Sequence, residues 1–231
     1  MLTIRPSAAR GHANHRWLDS NFTFSFADYY DPDHMGFRAL RVINEDRVAP
    51  ATGFGTHPHR DMEILTYVLE GAVKHEDSTG ASETLVPGEL QHMSAGTGVR
   101  HSEMNPSDDQ PLHLLQIWLL PNQLGIPPKY EQKRFAVADQ PNKLHLLASS
   151  DARDDSFKIF SDAELLAANL DSGQVVRHQF KFGNGWLQIV RGDVQIEGKT
   201  FRQGDGVQIE GETSLTIASE SGAEFLLFDL A

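Results

Sequence analysis

The sequence predicts an all-β protein of two tandem barrels with a short helix in its second half, and three observations carry that expectation. Short runs of β-branched, aromatic and aliphatic residues recur along most of the chain between glycine-containing turns, a spacing that suits a barrel or sandwich. The pattern is interrupted around Pro127-Pro128, adjacent prolines that cannot both sit inside a sheet and mark an extended connector. It then returns, and the second half echoes the first: Val68-Leu69-Glu70-Gly71 aligns with Ile189-Val190-Arg191-Gly192, and Gly88-Glu89 with Gly204-Asp205. The expected division is one domain over 1–125, a linker over 126–144 and a second domain over 145–231.

Taken in order, Phe22-Thr23-Phe24-Ser25-Phe26 alternates and predicts a strand with an aromatic face. Tyr29-Tyr30-Asp31-Pro32 reads as a turn, and 40–44 as another short strand. Strands follow at 65–69 and 73–75, then a hairpin turn at Asp77-Ser78-Thr79-Gly80 and another turn at 85–89. The apolar run 112–120 is a strand closed by Pro121. In the second half, Ser161 or Asp162 as a cap and Glu164 in the first turn predict a helix over 161–169. Strands resume from 175 to 230.

Composition narrows the function. The 231 residues are 39% hydrophobic and 23% charged, as in a folded globular protein. Twenty basic residues against thirty-two acidic give a net charge of −12, which argues against direct binding to nucleic acid or an anionic membrane but leaves protein partners open. There is no cysteine, hence no disulfide and no thiolate ligand. No run has signal-peptide or membrane-span length, so a cytoplasmic location is expected.

Two stretches carry chemistry: Gly53-Phe54-Gly55-Thr56-His57-Pro58-His59 and Gly96-Thr97-Gly98-Val99-Arg100-His101-Ser102-Glu103. Each holds an i, i+2 pair of metal-ligating types, and in a strand such pairs share a face. His57, His59, His101 and Glu103 can therefore converge on one ion. Three imidazoles and a carboxylate suit one divalent transition metal, iron(II) first, with copper, nickel, cobalt, manganese or zinc also accommodated. Four such ligands leave positions open, as a catalytic site requires. In the second half, His57 aligns with His178, but His59, His101 and Glu103 align with Phe180, Ile217 and Ser219, which predicts a barrel with an apolar centre and no metal site.

Gly53-x-x-x-His57-x-His59-x-x-x-Glu63, with Gly71, is similar to the first motif of the cupins, and Gly98-x-x-His101-x-x-x-Asn105 to the second. His57-Pro58-His59-Arg60 with His101-Ser102-Glu103 resembles the two-cupin pirin family. Gly11-His12-Ala13-Asn14-His15 and Thr66-Tyr67-Val68-Leu69-Glu70-Gly71 resemble its bacterial members with quercetin 2,3-dioxygenase activity. The resemblance implies a double-stranded β-helix, or jelly roll, in each half. Most cupins take their carboxylate ligand from the position of Glu63, whereas pirins use that of Glu103. Both fit the sequence, and Glu103 is preferred because it shares a strand face with His101.

The resemblance also implies a substrate and a reaction. The metal would lower the pKa of a flavonol 3-hydroxyl, Glu103 would act as general base, and the flavonol would react with O₂, opening the ring with loss of carbon monoxide. Pirins are also described as regulatory proteins that act through protein partners, so a non-catalytic metal- or redox-sensing role is the alternative. An isomerase reading is weaker, since only Arg60 and Arg100 lie near enough in sequence to hold an anionic substrate. Of the remaining histidines, His12, His15 and His178 read as structural, His113 as a core residue or a group aimed at the barrel centre, and His75 and His92 as solvated near turns. Phe22, Phe24, Phe26 and Trp118 read as core.

Overall fold

The computed structural model describes residues 1–231, and its regular structure is almost entirely strand. The chain forms two compact units: one of Gly11–Phe135 with Ile159–Ser161, the other of Met1–Arg10, Ala136–Lys158 and Asp162–Ala231. The first strand, β1 (Leu2–Arg5), thus belongs with the C-terminal half rather than to a domain spanning 1–125.

The unit that carries His57, His59, His101 and Glu103 contains β2 (Gly11–Asn14), β3 (Leu18–Phe22), β4 (Leu40–Val48), β5 (Gly53–His59), β6 (Glu63–Glu70), β7 (Val73–Asp77), β8 (Ser82–Leu85), β9 (Glu89–Ser94), β10 (Val99–Met104), β11 (Leu112–Leu119) and β12 (Lys129–Arg134). A seven-stranded antiparallel sheet has the order β12-β9-β6-β11-β4-β3-β2, and a four-stranded one the order β5-β10-β7-β8. The strand β12 lies inside the expected linker, where it pairs with β9. The expected strand over 22–26 ends at Phe22. Beyond it, Ser25 Oγ accepts from Asp31 N at 2.8 Å and donates to Asp31 O at 2.9 Å, and these local bonds replace the ladder.

Side-chain alternation puts one face of each sheet inward. Val48, Val68 and Leu114 from the large sheet meet Val73 and Leu85 from the small one in an apolar cluster. A second cluster joins Ile64, Met93 and Ala95 to Val99. Burying each such side chain contributes about 1.5–3 kcal/mol. Between the two clusters the large sheet carries a polar row. Asn44 lies opposite Gln116, Gln116 opposite Thr66, and Thr66 opposite Gln91, so the four side chains cross β4, β11, β6 and β9 at one level. All four are buried.

The other unit adds β13 (His145–Ser149), β14 (Phe157–Lys158), β15 (Ala163–Leu170), β16 (Gln174–Gln179), β17 (Asn184–Ile196), β18 (Lys199–Arg202), β19 (Gly206–Glu210), β20 (Ser214–Ser219) and β21 (Ala223–Leu230), with β1 pairing with β19. Its core is apolar, with Ile217, Leu187, Leu227 and Phe225 fully buried and Phe180 packed against the cluster. His178 is bonded to the buried carboxylate of Asp229 at 3.0 Å.

The helix expected over 161–169 is instead β15, which pairs with β21 from Ala163↔Leu230 to Leu170↔Ala223. Its residues are buried on both faces, so they lack the alternation that marks a half-exposed strand, and a short apolar run of this kind cannot be told from a buried helix by periodicity. Pairing on both sides outweighs the helix propensity of Ala, Leu and Glu. Ser161 Oγ donates to Leu120 O at 2.9 Å instead of capping a helix. The unit contains no α-helix, only the three-residue 3-10 turns Ser7–Ala9 and Arg153–Asp155. No helix is long and apolar enough to cross a membrane.

Candidate metal centre

The two histidine stretches are adjacent antiparallel strands, with His101 opposite His57 and Glu103 opposite Phe54. The register shifts between these pairs, and Gly53 lets the strands approach there: a Cβ on it would lie 2.3 Å from Glu103 O. At the turn before β10, Gly96 has φ +47°, and a Cβ would lie 2.0 Å from Ile126 O.

His57, His59 and His101 each offer a ring nitrogen, and these atoms lie within 4.8 Å of one another. His57 Nδ1 lies 2.8 Å from Gly55 O, and donation there leaves Nε2 as the lone-pair nitrogen. That Nε2 is 3.0 Å from His101 Nε2. Two unprotonated nitrogens so close repel unless a proton or cation lies between them. Two ligand bonds of about 2.1 Å at a right angle span the same distance, so the donor set fits a transition metal. Burial first, and then the neighbouring imidazoles, pulls the pKa of His59 down to about 4 and that of His101 to about 3. Both rings are therefore neutral near pH 7, the state that binds metal.

Glu103 is buried and faces the polar row. Its Oε1 accepts from Thr66 Oγ1 at 3.1 Å and from Gln91 Nε2 at 3.0 Å, and its Oε2 accepts from Gln116 Nε2. Three donors fix the carboxylate while leaving it room for a further bond. Glu63 is elsewhere: its Oε2 meets His92 Nε2 at 2.7 Å and accepts from Ser94 Oγ at 2.9 Å and Phe160 N at 3.3 Å. It is a core carboxylate with its own partners, and it does not line the recess over the imidazoles.

His75 and His92, expected to be solvated, are fully buried. Burial opposes charge on His92, but Glu131 and Glu63 outweigh it and raise its pKa. His75 stacks on Tyr130 with ring centroids 4.3 Å apart and bonds Asp77 Oδ2 through Nε2 at 3.0 Å. With His101 and Glu103 it forms a second close group of ligand types, but the recess opens over the first. His113 is also buried, its Nε2 3.0 Å from Glu45 Oε1 and not among the recess-lining groups. His12 bonds Asp19 at 2.9 Å on the surface.

The recess encloses about 370 Å³ of space between atoms, part of it open to solvent. His57, His59, His101 and Glu103 line it together with Asn44, Asp46, Gln116 and Trp118, and Phe26 and Phe54 complete the lining. Phe26 and Trp118 thus line the site, where core positions were expected, and Trp118 meets His59 edge-on at 4.9 Å. The missed polar residues did leave a signal. Asn44 and Asp46 interrupt the inward face of β4 between Val42 and Val48, and Gln116 interrupts β11 between Leu114 and Trp118, and a buried polar residue on an apolar face is informative.

Residues 3–119 match the Pirin family model, and residues 146–230 match the model of the quercetinase C-terminal cupin domain. The chain is 52% identical over 231 residues to a quercetin 2,3-dioxygenase of Escherichia coli, covering 100% of this chain and 99% of that one. It is similar to the crystal structure of YhhW from Escherichia coli, with TM-score 0.96, 52% identity and coverage of 100% and 98%. The bacterial pirin YhhW in complex with nickel(II) superposes with TM-score 0.94 at 51% identity, covering 100% and 99%. With these matches spanning both halves, the chain belongs to the pirin family.

Proposed function

We propose that this chain is a metal-dependent dioxygenase that opens the central ring of a flavonol such as quercetin with O₂. One observation carries the reading: three imidazoles whose ring nitrogens lie within 4.8 Å of one another line a recess that Glu103, held by three hydrogen bonds, and the rings of Phe26, Phe54 and Trp118 also line. Such a recess suits a flat aromatic molecule with one acidic hydroxyl. The names of the relatives support the same activity, and the nickel complex of YhhW supports a single divalent ion.

His57, His59, His101 and Glu103 would hold that ion. When bound, it supplies positive charge that acidifies a flavonol 3-hydroxyl and a redox-capable centre beside O₂. Glu103 takes the hydroxyl proton on its carboxylate, while the amides of Gln91 and Gln116 and the Thr66 hydroxyl keep it aimed. Trp118 and the phenylalanines orient the ring and keep bulk water from it. Both oxygen atoms enter the product and one ring carbon leaves as carbon monoxide.

The test is bound-metal content with O₂ uptake and carbon monoxide release on quercetin, for wild type and His59→Ala. Wild type is expected to consume O₂ and release carbon monoxide in equal amounts, and His59→Ala to lose metal and turnover together. Full metal occupancy without O₂ uptake would instead assign the chain a regulatory role. Turnover by metal-free His59→Ala would overturn the mechanism.

A further inference from the structure

The polar row explains three of its four members through Glu103, which Thr66, Gln91 and Gln116 all contact. Asn44, at the end of the row, makes no such bond. Its Oδ1 is buried and meets no protein donor. Because Gln116 Nε2 donates to the carboxylate, Gln116 Oε1 is the free end of that amide, and it too is buried and unmet. The residues are 3% and 8% exposed, and both line the recess. They are directly opposed in the ladder between β4 and β11, so their side chains stand together on one face. A buried acceptor without a donor is costly, and two of them side by side in a ligand recess form a subsite for hydrogen-bond donors.

We propose that Asn44 Oδ1 and Gln116 Oε1 are specificity determinants that select flavonols bearing ring hydroxyls in addition to the 3-hydroxyl, a proposal that rests on the flavonol reading of the recess. A substrate that presents hydroxyl donors meets the two acceptors. A bare ring covers them with apolar surface and leaves them unpaired, so the site discriminates against it. Removal of the acceptor at 44 removes one of the two and lowers the discrimination, without replacing any imidazole or Glu103.

The experiment compares quercetin with 3-hydroxyflavone, which lacks every other hydroxyl, on wild type and Asn44→Leu. Two readouts are taken on each protein: Kd from quenching of tryptophan fluorescence, which Trp118 in the recess wall makes direct, and kcat/KM from O₂ uptake. Wild type is expected to prefer quercetin by roughly tenfold or more in both, and Asn44→Leu to lower that preference about tenfold. No preference in wild type overturns the proposal, and that comparison stands even if Asn44→Leu does not fold. An unchanged preference in folded Asn44→Leu overturns it as well. If neither flavonol supports O₂ uptake but the Kd preference is present and lost in Asn44→Leu, the dioxygenase reading fails while the subsite stands.

Discussion

His75 Nδ1 lies 3.5 Å from His101 Nδ1, and both rings are buried. His101 presents its other nitrogen, Nε2, toward His57, so His75 backs it from behind. The back-up is itself held, by Asp77 through Nε2 and by stacking on Tyr130. Residues that orient a metal-binding histidine usually change metal affinity by about 10–100-fold when removed. His75→Phe, which keeps the stack, is expected to weaken metal binding within that range. Competition against a chelator of known affinity measures it, and equal affinity in the variant would reduce His75 to a packing residue.

Glu103→Gln separates charge from shape. The amide keeps an oxygen for Thr66 and Gln91, but its NH₂ group would face the Gln116 amide, which donates to Glu103 in the wild type. It cannot accept the hydroxyl proton. A fall in kcat of about 10²–10⁴ is expected under saturating metal, the usual weight of a general base. Wild-type turnover in a metal-loaded variant would remove Glu103 from the proton transfer.

Asp46 gives a pH dependence with a definite sign. An aspartate with pKa 3.8 in the unfolded chain is raised to about 7 in the fold, chiefly by burial and then by the charges of Glu103 and Glu45, against the Ser20 hydrogen bond. Between these values the folded state holds the proton that the unfolded state has released. Stability therefore falls as pH rises from about 4 to 7, and the full cost is present above 7. At about 1.36 kcal/mol per pKa unit this is on the order of 4 kcal/mol. Asp46→Asn keeps an acceptor for Ser20 and removes the cost. In metal-stripped protein its denaturation midpoint is expected to exceed that of wild type at pH 8 and to match it near pH 4. A gain of equal size at both pH values would show that ionisation of Asp46 is not the cause.

The strands that carry His57, His59, His101 and Glu103 were legible because their signal is local: residues two apart in extended chain share a face whatever surrounds them. The repeat was legible for a similar reason, since turn glycines recur at matching places. What stayed hidden depends on pairs far apart in sequence. Nothing near His75 announces Tyr130 or Asp77 as its partners, and nothing near His92 announces Glu131, so both histidines read as solvated. The polar row needs the register of four strands before Asn44, Gln116, Thr66 and Gln91 become neighbours. The stretch 161–169 read as helix because its strand is covered on both faces, which erases the period of two.

Gly53 and Gly55 offer a paired test of how closely β5 and β10 must meet. The two glycines sit two residues apart on the same strand, just before His57. A Cβ at Gly53 would lie 2.3 Å from Glu103 O and 2.6 Å from Met104 Cα, both backbone atoms that cannot yield without moving β10. A Cβ at Gly55 would meet nothing within 4 Å. Gly53→Ala is expected to cost about 1–3 kcal/mol or more, as overpacking does. It would also displace Glu103 relative to the imidazoles of His57 and His59, lowering metal affinity. Gly55→Ala leaves the carbonyl that accepts from His57 in place and is expected to match wild type in both. Thermal denaturation without metal reads the packing cost, and a metal titration reads the displacement. Equal behaviour of the two variants would show that the strand pair tolerates the extra methyl, and that its close approach does not set the position of Glu103.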